Sequence, residues 1–244
     1  MPKVIINRRV AIAGKVNNSQ TNRAIAMAQV KIIDAPETFV SSLVTTAKLV
    51  VSINETTEVK QARTTLKDSS LSKRQKLEAA RTILDLLTAR QILTNFRTDV
   101  TLTAGDGLFY FLNLPPGEYS LQASMPNMTR RYGIGSIKTV TVSDRGNTQI
   151  AVADLTLPST NLTGKITHNA EPITLAEVRI KGSQESAFSN SKGEYIFSEL
   201  ESSARSRIIL VRAKGYQPSE KKILLSRSGE QKTLNFDLTT GLRG

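Results

Sequence analysis

The sequence predicts a mainly β protein of two β-sandwich domains, with an α-helical hairpin inserted in the first. Three observations predict this class: an aromatic strand bounded by turn residues, a weaker copy of it downstream, and helical periodicity over residues 34–98. Alternation of apolar and polar residues is typical of strands with one buried face, whereas recurrence every three or four residues is typical of helices.

The most informative stretch is residues 105–123, which contains two strands and their turns. Asp106-Gly107 predicts a tight turn, because glycine adopts a positive φ without steric cost. Residues 108–112 form a short apolar run suited to a sandwich strand. Pro115-Pro116-Gly117 ends this strand, since proline lacks the N–H group of a central ladder. The next strand is expected to bury alternate side chains, those of Tyr119, Leu121 and Ala123. We expect the two strands to pair as a hairpin.

Residues 191–200 repeat the turn and the aromatic strand. The equivalent pairs are Gly107 and Gly193, Phe109 and Tyr195, Phe111 and Phe197, and Leu114 and Leu200. The flanks also match in order: residues 14–16 with 164–166, 28–32 with 176–180, and 154–156 with 237–239. Matches that keep the same order along the chain predict an internal duplication.

The repeated pattern resembles the carboxypeptidase regulatory-like domain, a seven-stranded sandwich of the transthyretin (prealbumin) type. That family shows a Gly-x-Val strand, a Val-x-Ile strand and the core Gly-x-Phe-x-Phe-x-x-Leu-Pro-x-Gly-x-Tyr-x-Leu, which residues 107–121 carry. The second copy keeps Lys214-Gly215-Tyr216 but has residues 201–204 in place of Pro-Pro-Gly. The resemblance implies the fold and says little of function, because such modules occur in many unrelated proteins.

The predicted first domain is residues 1–157, with the helical insertion at 34–98, and the predicted second domain is residues 161–244. A plain sandwich would close the connection after the strand that ends near Ile33 within about ten residues. The segment 158–161 is a short linker, and both domains have an ordinary size.

The insertion carries two helical patterns. The first begins near Pro36 and places apolar residues at helical spacing: Phe39, Val40, Leu43, Val44, Ala47, Val50 and Val51. Residues 54–67 are polar and either extend a helix or form the connection. The second begins with a capping box at Ser72 and Gln75, and Arg81 lies off its apolar stripe: Leu77, Ala80, Ile83, Leu84 and Leu87.

Two interpretations of these stripes stay open. In the first, they pack on each other and on a sheet face. In the second, part of the second stripe docks onto another subunit. The candidate partner-binding residues of the insertion are Leu77, Leu84 and Leu87.

The chain carries a formal net charge of +12. Residues 1–33 hold six basic and no acidic side chains, including Arg8 and Arg9. This asymmetry favours an acidic partner surface, and the alternative is a basic surface that only promotes solubility. Arg8, Arg9, Arg130 and Arg131 suit phosphate contacts, but tryptophan is absent and the aromatics fall at core positions, so specific nucleic-acid binding is not expected.

No catalytic constellation is visible in the sequence. The chain has no cysteine and one histidine, His168, which leaves too few ligands for an ordinary zinc site. Neither a Gly-x-Ser-x-Gly elbow nor a phosphate-binding glycine loop occurs. We therefore expect a non-enzymatic protein without cofactor or metal.

The sequence favours a structural or adaptor protein that docks onto protein subunits of a larger assembly, such as a phage-tail or contractile-injection particle. The alternative is a module that binds carbohydrate or a cell-surface polymer. No secretory signal peptide and no transmembrane segment are visible, so we expect a cytoplasmic or particle-associated location.

Overall fold

The computed structural model describes residues 9–49, 57–68, 70–89, 97–143 and 149–241, and it is mainly β. The helices of these residues are α1 (Glu37–Leu49), α2 (Thr57–Lys67) and α3 (Lys73–Ala89), with one 3-10 turn at Pro126–Met128. The strands are β1 (Val10–Asn18), β2 (Gln29–Asp34), β3 (Val100–Leu102), β4 (Leu108–Leu112), β5 (Gly117–Ser124), β6 (Lys138–Val142), β7 (Ala151–Val152), β8 (Leu155–Leu157), β9 (Asn161–His168), β10 (Glu171–Pro172), β11 (Glu177–Ile180), β12 (Ser186–Phe188), β13 (Glu194–Phe197), β14 (Arg207–Arg212), β15 (Ser219–Ile223), β16 (Gln231–Thr233) and β17 (Phe236–Asp237).

The chain divides into two compact units. Unit 1 comprises Met1–Ser124 and Gly135–Thr156, and unit 2 comprises Met125–Ile134 and Leu157–Gly244. Residues 125–134 thus group with unit 2, although the sequence assigns them to the first domain. The domain boundaries 1–157 and 161–244 stay a prediction.

Each unit contains two β-sheets with the same order of strands. Unit 1 has the sheet β4-β1-β7, with β8 also on β1, and the sheet β3-β2-β5-β6. Unit 2 has β13 and β16 on the two sides of β9, with β10 and β17 also on β9, and the sheet β12-β11-β14-β15. In each unit one face of every sheet buries alternate apolar side chains, which is the packing of a β-sandwich.

The correspondence between the units extends to a close backbone approach. Gly14 in β1 pairs with Phe109, and Gly164 in β9 pairs with Tyr195. A Cβ atom at Gly14 would overlap the carbonyl group of Ala153, and one at Gly164 would overlap that of Leu234. Only glycine allows the first strand to approach the last part of its unit this closely.

The equivalence of the last strands differs from the sequence match. The backbone N–H of Lys15 donates to Asp154, and that of Lys165 donates to Asn235, both at 2.9 Å. Asp154 therefore corresponds to Asn235, so the predicted match of Asp154 with Asp237 is wrong by two residues. The error keeps the same side chains inside, because strands have a period of two.

The predicted aromatic core is confirmed. All six of the side chains named as core are buried: Phe109, Phe111, Tyr119, Leu121, Tyr195 and Phe197. In each unit two of the rings also meet edge to face, with centroids 6.2 Å apart for Phe109 and Phe111 and 6.1 Å apart for Tyr195 and Phe197.

The predicted hairpin of residues 105–123 is wrong. β4 pairs with β1, whereas β5 lies between β2 and β6 in the other sheet. The turn before β4 is as predicted, since Gly107 has a φ of +80° and its N–H donates to Ala104. The Pro115-Pro116 segment instead carries the chain across the sandwich, and the Tyr119 hydroxyl donates to the Pro115 carbonyl at 2.8 Å.

Three helices, not the two of a hairpin, are found between β2 and β3 among the described residues. The additional helix is α2, whose buried positions are spaced three and four residues apart in a polar sequence: Val59, Ala62 and Leu66. The predicted capping box of α3 is confirmed, because Ser72 N–H donates to Gln75 Oε1 at 3.0 Å and Gln75 N–H donates to Ser72 Oγ at 3.4 Å.

Candidate partner-binding surfaces

A buried ion cluster joins α3 to the sheet of unit 1. Arg81 of α3 is 4% exposed and Asp99, just before β3, is 0% exposed. Arg81 Nε donates to Asp99 Oδ2 at 3.0 Å, and its Nη2 donates to the carbonyl of Ile32 in β2. Arg97 adds a bond from its Nε to Asp99 Oδ1 at 2.8 Å and one from Nη1 to Asp85 of α3 at 2.6 Å. The helix is thereby held at one position on the sandwich.

The cluster keeps Asp99 ionised. Burial by itself raises the pKa of this carboxyl, but the two guanidinium groups of Arg97 and Arg81 outweigh burial and hold the pKa below its ordinary value. Breaking such a buried pair leaves an uncompensated charge in the interior.

Aromatic and apolar contacts attach the other helices. The Phe39 ring of α1 meets the Tyr119 ring of β5 edge to face, with centroids 5.7 Å apart. Burial also raises the pKa of the Tyr119 phenol. α3 packs against both α1 and α2, so the three helices and β2 form one connected layer.

The candidate residues of the second stripe lie inside this layer. Leu77 and Leu84 are both 0% exposed, which favours the interpretation that the stripe packs within the fold. Leu87 belongs to α3, but its side chain lies outside the described residues. Whether these leucines bind a partner stays a prediction.

Of the two basic candidates, the structure describes Arg9, which directly precedes β1. Arg9 is exposed and its backbone N–H donates to the Asn113 side chain at 2.9 Å. Arg8 lies outside the described residues. Whether Arg8 and Arg9 bind a partner stays a prediction.

The outer surface of the helices has a groove between α2 and α3, with a volume of about 770 Å³. Its lining is mostly polar: Glu58, Gln61, Ala62, Thr65, Ser72, Arg74, Gln75, Glu78, Ala79 and Thr82. Unit 2 has a smaller concavity of about 470 Å³ along β9, β13 and β16, and most of its lining residues are polar. The sequence did not indicate either concavity, because each needs side chains from separate elements.

The one histidine has structural partners on both ring nitrogens. His168 Nδ1 lies 2.7 Å from the Leu238 carbonyl and its Nε2 lies 3.1 Å from the Asn169 amide. Its ring also meets the Tyr216 ring edge to face at 5.4 Å. No group of three or more metal-ligating side chains occurs among the described residues. Within those same residues, no helix is both long and apolar enough to cross a membrane.

The sequence analysis missed the ion cluster. The sequence placed Arg81 off the apolar stripe and assigned it no partner, whereas the structure buries it against Asp99. Two charged residues, Arg97 and Asp99, directly precede β3 and could have indicated an ion pair there. The pairing of Asp99 with Arg81 was not predictable, because these residues are 18 positions apart and no periodic pattern connects them.

Comparison with protein families gives one match. The family model described as CarboxypepD_reg-like domain matches residues 162–242, which lie in unit 2. A comparison with curated protein sequences gave no match.

Comparison with solved structures gives remote likenesses of low TM-score. The shaft pilin SpaA from Lactobacillus rhamnosus GG has a TM-score of 0.36 and 7% identity, and the alignment covers 95% of this chain and 98% of the pilin. The Bacillus anthracis TIE protein has a TM-score of 0.35 and 13% identity over 95% of this chain and 34% of that protein.

A type II cohesin-X-dockerin complex from Acetivibrio cellulolyticus has a TM-score of 0.29 and 19% identity over 34% of this chain. The aligned region is 58% of the matched chain in that complex. All three TM-scores lie below 0.5, so these likenesses carry no argument about what this protein binds.

Proposed function

We propose that the protein is a non-enzymatic structural or adaptor subunit that docks onto protein partners in a larger assembly. The observation that carries this proposal is the attachment of α3 to the sandwich through Arg81, Asp99 and Arg97. A buried ion cluster costs desolvation free energy, and its best-attested use is to specify one arrangement. Here that arrangement presents the helical layer and its groove in a fixed position.

The same proposal includes two tandem carboxypeptidase regulatory-like domains, the first of which carries the helical insertion. For unit 2 the family match supports this assignment directly. For unit 1 the support is the shared strand order and the matching close approaches of Gly14 and Gly164. Modules of this type then serve as rigid spacers, and the insertion provides the distinguishing surface.

The proposed contacts are of two kinds. Arg8 and Arg9 provide positive charge for an acidic partner surface. The groove between α2 and α3, which is lined by polar residues and two alanines, provides the second contact surface. Contact through Leu77, Leu84 and Leu87 would require α3 to separate from the sheet, since Leu77 and Leu84 are buried.

Co-expression with the products of the adjoining genes tests the proposal. We expect stoichiometric co-elution of the chain in a particle of the phage-tail or contractile-injection type, in the cytoplasm or on the particle. Gln61→Arg together with Thr82→Arg should block the groove and abolish co-elution without changing the melting temperature, because both side chains are exposed. A chain that elutes alone under all conditions would contradict the adaptor function.

The buried leucines need a separate control. Leu84→Ser with Leu87→Ser should lower the melting temperature by many degrees if the stripe is core, because buried leucines are lost. If the pair abolishes co-elution and leaves the melt unchanged, α3 docks through its apolar stripe instead.

The polar concavity of unit 2 favours a second candidate function, recognition of carbohydrate or a cell-surface polymer. Its outer rim combines a cation, an anion and two amides: Lys165, Glu194, Asn190 and Asn235. Hydroxyl and amide groups of a glycan suit such donors and acceptors. Glycan-array binding that is lost in Lys165→Glu would support this function, and an array with no signal would oppose it.

A further inference from the structure

Within the described part of unit 1, one edge of the strand β4 is open. Among the described strands it pairs with β1 alone. Leu108 directs its backbone groups away from β1, because its carbonyl accepts from Ala104 N–H at 2.8 Å and its N–H donates to Asp106 at 3.0 Å. Backbone groups alternate in direction along a strand, so those of Tyr110 and Leu112 also point to the open edge.

This edge lacks the features by which proteins usually protect exposed strands. β4 contains no charged residue, no proline and no glycine, and its sequence Leu-Phe-Tyr-Phe-Leu is the same in both directions. Phe109 and Phe111 face the core, while Leu108 and Tyr110 are 51% and 58% exposed on the outer face. A flat apolar edge of this kind is a template for pairing with another strand.

Unit 2 shows that the fold does not require such an edge. The equivalent strand β13 reads Glu-Tyr-Ile-Phe, so Glu194 occupies the position of Leu108. The outer row across the neighbouring strands contains two threonines in unit 2, where Ile196 pairs with Thr163 and Thr163 pairs with Thr233. In unit 1 the same row contains three apolar residues: Tyr110, Ala13 and Val152.

We propose that β4 is a homodimer interface, in which it pairs antiparallel with β4 of a second copy of this chain. With Tyr110 opposite Leu112 of the other copy, the two edges exchange four backbone hydrogen bonds and use the groups that point outward. In this register the two-fold axis passes beside Phe111, and the opposed side chains within the strand are apolar: Tyr110 with Leu112, and Phe111 with Phe111. A two-fold axis then produces one continuous sheet across the dimer.

The uncharged edge, whose apolar side chains oppose one another in this register, points to a second copy as the occupant. The chain has a net charge of +12, so two copies repel over most of their surface. β4 has no charge, and it is therefore a place where two basic molecules can approach. Salt should strengthen this contact by screening the repulsion, whereas it would weaken docking of an acidic partner. The inference goes beyond the proposed adaptor function and does not depend on it.

Sedimentation equilibrium of the full chain tests the interface, from about 1 to 500 µM and at low and high salt. We expect a monomer–dimer equilibrium whose dimer is favoured by salt. Tyr110→Lys should weaken dimerisation by about tenfold or more, because it places an ammonium group opposite the apolar Leu112 of the other copy at each of the two positions. Ile196→Lys is the matched control in β13, where Ile196 is 50% exposed, and it should leave dimerisation unchanged.

Two further measurements make the result specific to the edge. Thermal melts should show that both lysine variants keep the monomer fold, since both side chains are exposed. Amide hydrogen exchange should slow at Tyr110 and Leu112 as the protein concentration rises. A chain that stays monomeric over the whole range, or a dimer that persists in Tyr110→Lys with unprotected Tyr110 and Leu112 amides, would overturn the proposal.

Discussion

Asp99 is the residue on which the position of the helical layer depends most directly. Its carboxylate is fully buried and accepts hydrogen bonds from two guanidinium groups, of Arg81 and Arg97. The surrounding apolar side chains would hold α3 against the sheet in several similar ways, whereas this pairing has one geometry. The residue thus links packing of the insertion to presentation of its outer surface.

Removal of this carboxylate should strongly destabilise unit 1. Asp99→Ala leaves the buried Arg81 without its acidic partner, and we expect a loss of about 3–5 kcal/mol in the free energy of unfolding. Asp85→Ala is the control, since Asp85 is the exposed partner of Arg97, and it should cost less than about 1 kcal/mol. Urea denaturation followed by circular dichroism measures both, and equal losses would contradict the assigned role of Asp99.

The same group predicts a dependence of stability on pH. The pKa of Asp99 is lower in the folded than in the unfolded chain, where a carboxyl of this type titrates near pH 4. Its contribution is therefore fully present above about pH 4 and is lost as the pH falls toward the folded pKa. The difference in unfolding free energy between the wild type and Asp99→Asn should shrink between about pH 4 and pH 2. A difference that does not change over this range would show that Asp99 is not ionised in the folded chain.

The aromatic strands provide the next prediction. Phe111→Ala in unit 1 and Phe197→Ala in unit 2 should each cost about 3–5 kcal/mol, because each ring is buried in its sandwich. Phe188→Ala, at a 60% exposed position of β12, should cost less than about 0.5 kcal/mol. Denaturant titration gives the free energy of unfolding of the three variants. A loss below about 1 kcal/mol at either core position would contradict the prediction that the ring is an essential part of its core.

At the scale of elements, the helical layer is part of the packing of unit 1 and not an appendage. α1 follows β2 directly and brings Phe39 against Tyr119, while α3 reaches back to Ile32 and Asp99. The loop ends that flank the insertion are close, since Ile32 N–H donates to the Asp99 carbonyl at 2.9 Å. A short connection can therefore replace the insertion geometrically.

Excision of residues 34–98 separates these two contributions. Joining Ile33 to Asp99 through a glycine-containing turn should preserve the strand pairing but lower the melting temperature, because Asp99 loses both guanidinium partners. Adding Asp99→Asn to the excised chain should recover part of the loss, since an uncharged side chain costs less to bury. If the excised chain with Asp99 is the more stable of the two, the carboxylate is exposed to solvent after excision. That result would contradict the prediction that Asp99 stays buried without a partner.

At the scale of the whole molecule, charge is distributed unevenly along the chain. Half of the net charge of +12 comes from residues 1–33, and Arg9, Lys15, Arg23 and Lys31 of this segment lie in or beside the first strands of unit 1. Electrostatic attraction of this kind acts mainly on association rate and on salt dependence.

Neutralising the basic start of the chain tests its role in docking. Arg8→Ser with Arg9→Ser should weaken association with an acidic partner and reduce its dependence on salt. Lys192→Ser with Arg205→Ser in exposed parts of unit 2 removes the same charge and serves as the control. Surface plasmon resonance at several salt concentrations measures the effect, and equal losses in both variants would indicate a general effect of net charge.

Local patterns in the sequence predicted the aromatic strands, the start of α3 and the faces that these elements bury. Period-two alternation identified the core aromatics, glycine identified the turn at Gly107, and the capping box identified the start of α3. These features are local, because backbone geometry couples each residue to its neighbours within a few positions. Asp154 was matched to Asp237 instead of Asn235, but this error of two residues is one full strand period. The prediction of which side chains point inward was therefore still correct.

The way in which distant segments meet could not be predicted from local patterns. β4 and β5 are adjacent in sequence but enter different sheets, and Arg81 becomes a buried residue because Asp99 and Ile32 reach it from other elements. The open edge of β4 likewise depends on which strands fail to pair with it. Such features arise from contacts between residues far apart in the chain, where packing and desolvation decide the outcome and no local periodicity records it.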